Sequence, residues 1–278
     1  MPTKQINGLA YHWTIRGAGD PLVLLHGFAG SAQSWENLIP RLATRHQVIA
    51  PDLPGHGRTA RPAEPARYAM AAASADLVAL LDSITPEPVH LLGYSMGGRL
   101  ALYFALHHPD RVRSLILESA SPGLAAAEER RTRQAADEAL AERIERQGIG
   151  WFAGYWAGLP LFASQARLPE AVRQTLLQQR QDNDPAGLAG SLRGMGTGAQ
   201  PALWDQLGGF DRPTLLVVGE LDTKFRAIGR QMAAALPAAQ LAVIPACGHA
   251  PHLEDPDAFH ACVANFLAAG DQSRATPG

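Results

Sequence analysis

Short apolar runs recur along the chain, separated by stretches whose apolar positions fall at helical spacing. Lys4 to Arg16 predicts a β-hairpin, because Asn7-Gly8 is a two-residue turn signal between Ile6 and the alternating Leu9, Tyr11 and Trp13. Pro21 to Leu25 reads as a buried strand, Ser34 to Leu42 as a helix capped by Ser34, and Gln47 to Ala50 as the next strand. An alanine-rich helix from Tyr68 to Leu81 follows, then strand Val89 to Leu92, a helical pattern from Arg99 to Leu106, and strand Val112 to Glu118. Strands alternating with helices predict an α/β fold whose mostly parallel central sheet is covered on both faces.

From about Pro122 to Gly208 no strand pattern occurs, and the composition turns to Ala, Glu, Arg and Gln with scattered Trp and Phe. Alternation resumes with strand Thr214 to Val218, helix Ala227 to Leu236, strand Gln240 to Ile244 and a last helix from Asp257 to Ala268. The expected organisation is one core made of residues 1–120 and 209–270, a helical cap inserted at 121–208, and a flexible tail at 271–278.

Charge narrows the function classes. With 24 basic and 26 acidic side chains in 278 residues the net charge is −2, so no global field favours nucleic acid or an anionic membrane surface. Cys247 and Cys262 fit neither a disulfide framework nor a metal-ligand spacing, and two reduced thiols are expected. No run of eighteen apolar residues occurs and Met1 to Gly8 has no apolar leader core, so a cytoplasmic protein without an integral membrane segment is expected.

The candidate chemistry centres on Gly93-Tyr94-Ser95-Met96-Gly97-Gly98-Arg99, between a strand and a helix. A Gly-x-Ser-x-Gly frame in that context is a nucleophile elbow: the glycines let two backbones approach closely, and the serine is presented at a helix N-terminus, where unpaired N–H groups favour negative charge. Asp222 and His249 also follow predicted strands, and the C-terminal edge of an open α/β sheet is where sites assemble. The order Ser, Asp, His, together with His26-Gly27-Phe28, Asp52-Leu53-Pro54-Gly55-His56-Gly57, and Gly248-His249 followed by Glu254 and Pro256, resembles the α/β-hydrolase fold over nearly the whole chain. That resemblance implies a Ser95–His249–Asp222 triad and an oxyanion hole made by the backbone N–H groups of Phe28 and Met96. Glu118 also ends a strand, where some relatives place the acid, but Gly-Glu-Leu-Asp makes Asp222 the better candidate. His26 and Asp52 are expected to hold loops by hydrogen bonds. The triad leaves open whether Ser95 acts as nucleophile or as base.

Arg99 departs from the small residue usual one turn after the serine, and a guanidinium there is costly unless it is paired or meets an anion. The elbow, Ser121-Pro122-Gly123-Leu124, Glu129-Arg130-Arg131-Thr132-Arg133 with Asp137, Tyr155-Trp156 with Pro160-Leu161-Phe162, and Gly219-Glu220-Leu221-Asp222-Thr223-Lys224-Phe225 resemble the family of 2-succinyl-6-hydroxy-2,4-cyclohexadiene-1-carboxylate (SHCHC) synthases. The resemblance implies a lyase of menaquinone biosynthesis that eliminates pyruvate without metal or organic cofactor. It also implies a small carboxylate-bearing substrate bound by Tyr94, Arg99, Arg130, Trp156 and Lys224. Some members carry a glutamine where this chain has Ala125. A serine hydrolase acting on an acidic substrate, and a non-enzymatic receptor or scaffold of the same fold, are the alternatives. Arg131, Arg143 and Arg146 are expected on a solvated helix face.

Overall fold

The structure, a computed structural model, describes residues 3–275. Asn7 and Gly8 take φ values of 46° and 81°, the left-handed pair that matches a two-residue turn to strand twist. β1 (Thr3–Ile6) therefore folds back on β2 (Leu9–Arg16), and β2 pairs antiparallel with β4 (His46–Pro51). β3 (Asp20–Leu25), β4, β5 (Val89–Tyr94), β6 (Val112–Glu118), β7 (Thr214–Gly219) and β8 (Ala239–Ile244) run parallel. The order across the sheet is β1-β2-β4-β3-β5-β6-β7-β8.

Alternate residues of these strands feed two cores. Val23, Leu25, Leu91, Leu115 and Leu216 pack on one face with α2 (Met70–Asp82) and α3 (Met96–His107). Leu22, Leu24, Leu92, Ile116 and Val217 face the other way, toward Leu42 of α1 (Ile39–Leu42) and Phe259 and Val263 of the C-terminal helix. Each such side chain contributes about 1.5–3 kcal/mol on burial, which is why central strands read as unbroken apolar runs.

The predicted helix from Ser34 to Leu42 divides in two. Ser31, rather than Ser34, caps a short 3₁₀ turn at Ala32–Trp35, and α1 begins only at Ile39. Pro40 has no N–H for the carbonyl four residues back, so a helix cannot run through it. The elbow helix starts earlier than its apolar pattern, at Met96, because Gly97 and Gly98 carry no hydrophobic signal.

Between β6 and β7 lie α4 (Ala127–Ala157), α5 (Glu170–Gln181) and α6 (Pro185–Met195), with a 3₁₀ stretch at Pro160–Arg167. Gly148 breaks α4 with φ 79° and ψ 176°, values that only glycine adopts readily. Arg131 pairs with Glu128 on the outer surface, and Arg143 lies 4.3 Å from the centre of the Trp151 ring. α7 (Thr223–Ala235), α8 (Pro251–Glu254) and α9 (Pro256–Ala275) complete the chain. α9 runs past Gly270, where a tail was expected; positions 276–278 lie outside the described residues. Both cysteines are free thiols, and no helix among the described residues is long and apolar enough to cross a membrane.

Candidate active site

Ser95, Asp222 and His249 come together at the C-terminal edge of the parallel strands, from the loops after β5, β7 and β8. His249 Nδ1 lies 2.7 Å from Asp222 Oδ2, and His249 Nε2 lies 3.1 Å from Ser95 Oγ. Asp222 also caps α7 by accepting the Phe225 N–H through Oδ1, so its carboxylate is fixed from two directions. With Nδ1–H directed at the carboxylate, Nε2 is left to accept the serine proton.

The elbow holds Ser95 at φ 49° and ψ −108°, a strained backbone for a residue with a Cβ. Its N–H donates to the Glu118 carbonyl over 2.8 Å. A Cβ on Gly97 would stand 2.3 Å from the Leu25 carbonyl oxygen and 2.4 Å from that of His26, so only glycine lets α3 approach β3 this closely. The Met96 N–H belongs to the first turn of α3, whose donors have no partner within the helix.

Phe28, on the loop after β3, lines the same cavity as Met96. Leu53 N–H donates to His26 Nε2, which leaves His26 Nδ1–H for the Gly27 carbonyl; burial pulls the pKa of this imidazole down and keeps it neutral. The Asp52 carboxylate accepts the N–H groups of Ala32 and Arg58 and bonds His12, as a loop anchor should. Ala29 takes φ 61°. Its carbonyl accepts the Asn183 side-chain amide at 3.0 Å, while Asn183 Oδ1 accepts the Gly57 N–H at 3.1 Å. The segment joining α5 to α6 is thus tied to both loops.

A cavity of about 190 Å³ opens above Ser95 and His249. Apolar surface from Phe28, Trp156, Leu161 and Phe225 lines one part, and Arg99, Arg133 and Lys224 bring positive charge; among the described residues no Asp or Glu side chain lines it. Arg99 is 9% exposed, and its guanidinium donates to the neutral Gln200 side chain at 3.3 Å. Burial first, and the Arg133 charge second, pull its pKa down to about 10, with Asp137 opposing. Asp137 is itself buried and holds Arg133 Nε at 2.7 Å. A larger cavity of about 490 Å³, lined by His12, Thr14 and Arg16 among others, is separate and contains no member of the triad.

The other expected substrate contacts divide. Trp156 and Lys224 line the triad cavity. Arg130 instead directs its guanidinium to the carbonyls of Leu124 and Ala125 and is not part of the lining. The Tyr94 ring packs over His249, centroids 5.6 Å apart, and faces a smaller neighbouring cavity that also contains Arg180 and shares Phe28 and Trp156 with the first. Sequence reasoning missed Gln200 and Arg180 and gave Arg133 no binding role. Arg133 had a signal, its spacing of four from Asp137; the other two come from distant segments with none.

The chain matches the alpha/beta hydrolase fold family over residues 20–256. A provisionally named SHCHC synthase of Bacillus subtilis (strain 168) is 42% identical over 91% of this chain and 92% of its own length. The SHCHC synthase of Enterobacter sp. (strain 638) is 36% identical over 90% and 94%. The structure of MenH from S. aureus superposes with a TM-score of 0.90 at 35% identity, covering 94% of this chain and 98% of that one. A thermophilic esterase from Thermogutta terrifontis with malate bound gives 0.83 at 28% identity, covering 96% and 97%. A triad at the edge of a mostly parallel sheet and likeness along nearly the full length agree: the chain belongs to the α/β-hydrolase fold family and, within it, to the SHCHC synthases.

Proposed function

We propose that the protein is a lyase of menaquinone biosynthesis that eliminates pyruvate from 2-succinyl-5-enolpyruvyl-6-hydroxy-3-cyclohexene-1-carboxylate and leaves SHCHC. The observation that carries this reading is Arg99: a buried cation one helical turn from Ser95, bonded to a neutral amide, in a cavity lined among the described residues by two further cations and no carboxylate. Such a site is completed by an anionic ligand. The substrate has three carboxylates and an apolar ring, which suit the cationic and apolar parts of the lining.

In this reading residues 121–208 act as a cap over the core. Ser95, relieved of its proton by His249, removes the ring proton beside the succinyl ketone, and the oxyanion formed on that ketone meets the N–H groups of Phe28 and Met96. The electron pair moves through the 3,4 double bond and expels the enolpyruvyl oxygen from C5, giving the 2,4-diene. The departing enolate takes up a proton and tautomerises to pyruvate. No acyl-enzyme is needed, and no step calls on a metal or organic cofactor. Arg99, Arg133 and Lys224 hold carboxylates while Trp156 covers the ring; Tyr94 supports His249 from the side.

Incubation with the enolpyruvyl substrate, following pyruvate and diene absorbance together, should show the two products rising one to one. Absence of both from a well-folded protein would refute the proposal. The Ser95–His249 geometry suits acyl transfer equally well, so a serine hydrolase acting on an acidic ester is the second reading. It is favoured if p-nitrophenyl esters are cleaved well and no pyruvate appears.

A further inference from the structure

Glu118, the last residue of β6, contacts the machinery of the site from two sides while being no part of the triad. Its carbonyl accepts the Ser95 N–H at 2.8 Å. Its carboxylate is fully buried, and Oε1 accepts two bonds from one residue: the His252 backbone N–H at 3.0 Å and the His252 ring Nδ1–H at 2.8 Å. The His252 ring packs against Tyr94, centroids 4.6 Å apart, and Tyr94 packs in turn against His249. Burying a carboxyl group whose other oxygen has no partner among the described residues costs stability, and an apolar side chain would avoid that cost.

The loop that carries His249 has an internal fastening of its own. Glu254 accepts the N–H groups of Gly248 and Ala250, one on each side of the histidine. That bond pair shapes the loop but does not place it against the sheet. From the sheet side, Glu220, directly after β7, accepts the Ala246 N–H near the start of the loop, and Glu118 reaches its far end at His252, 134 residues later in the chain.

We propose that Glu118 is a positioning residue that sets the distance between Ser95 and His249, its main chain holding the serine and its carboxylate, through His252, holding the histidine loop. The proposal rests on the triad being functional, and its main test does not require the lyase reading. Glutamine keeps an acceptor oxygen for both His252 bonds, whereas alanine removes it. His252→Phe keeps the ring stack and the backbone bond and removes only the ring bond.

The experiment measures the rate constant for phosphonylation of Ser95 by a fluorophosphonate probe, alongside kcat and KM for pyruvate release and the melting temperature. Misplacing reacting groups by about 1 Å costs up to roughly 100-fold, so Glu118→Ala should lower kcat and the phosphonylation rate about 10–100-fold with KM changed less than about threefold. Glu118→Gln should stay within about threefold of the wild type in both rates, and His252→Phe should lower both about three- to tenfold. A lower melting temperature with both rates unchanged per folded molecule would overturn the proposal, as would Glu118→Gln as impaired as Glu118→Ala. If Glu118→Ala does not fold, His252→Phe decides by the same criterion. Phosphonylation of the wild type without pyruvate release would sink the lyase reading while the variants' phosphonylation rates still judge Glu118.

Discussion

The buried Arg99 guanidinium donates to the side chain of Gln200, a neutral amide anchored in turn to the Ser121 carbonyl, rather than to a carboxylate. A pKa drawn down to about 10 means the cation stays charged at neutral pH at a cost on the order of 3 kcal/mol. Arg99→Met should therefore raise stability by about 1–3 kcal/mol, after allowing for the Gln200 oxygen left without a donor, while turnover falls at least about 100-fold. Thermal denaturation and pyruvate release check the two halves; a variant that is both less stable and fully active contradicts the argument.

Arg130 and Arg133 lie on the same helix but have different partners. Arg133→Gln can still donate to Asp137, so the fold should be kept, while loss of a cavity cation should raise KM at least about tenfold. Arg130→Gln removes bonds to the Leu124 and Ala125 carbonyls and should change KM less than about threefold. Steady-state kinetics of the two variants side by side distinguish a wall residue from a loop support.

Gly97→Ala would press a methyl group against two main-chain oxygens that cannot move separately from β3. A loss of stability of at least about 3 kcal/mol is expected, with Ser95 labelling by a fluorophosphonate falling in parallel. Wild-type melting and labelling in this variant would mean that the elbow is not packed as described.

His56 supplies a pH dependence. It is buried beside His26 and the Phe28 ring, and desolvation, followed by electrostatic coupling to His26, pulls its pKa down to about 3. The folded state then binds this proton less readily than the unfolded state, whose pKa is near 6.5, so stability is complete above about pH 6.5 and declines as pH falls toward 3. At pH 5 the loss from this residue alone is about 2 kcal/mol, and His56→Gln should flatten the slope of melting temperature between pH 7 and 5.

The parallel strands were legible because burial on both faces leaves an uninterrupted apolar run, as at Leu22 to Leu25 and Leu91 to Leu92. Ser95 and Asp222 were legible because each follows such a run next to small residues, and His249 because a glycine precedes it shortly after the partly exposed edge strand β8. What escaped depends on pairing between distant segments: Gln200 meets Arg99 across 101 positions, and His252 meets Glu118 across 134. No local pattern encodes either contact. The arginines of α4 illustrate the same limit at short range, since a spacing of three put Arg130 and Arg133 on one face without saying that one guanidinium turns back to its own backbone.

The Asn183 bond to the Ala29 carbonyl gives the inserted helices a second role. A left-handed φ at an alanine costs about 1–2 kcal/mol, and Ala29 directly follows Phe28, whose N–H is the proposed oxyanion donor. In the proposed reading the inserted segment would serve as a latch on this strained loop as well as a roof over the cavity. By reciprocity of coupling, a ligand that tightens α5 and α6 against the core would also steady the proposed oxyanion donor, and a substitution that frees Asn183 would be felt at Ser95 without touching the substrate.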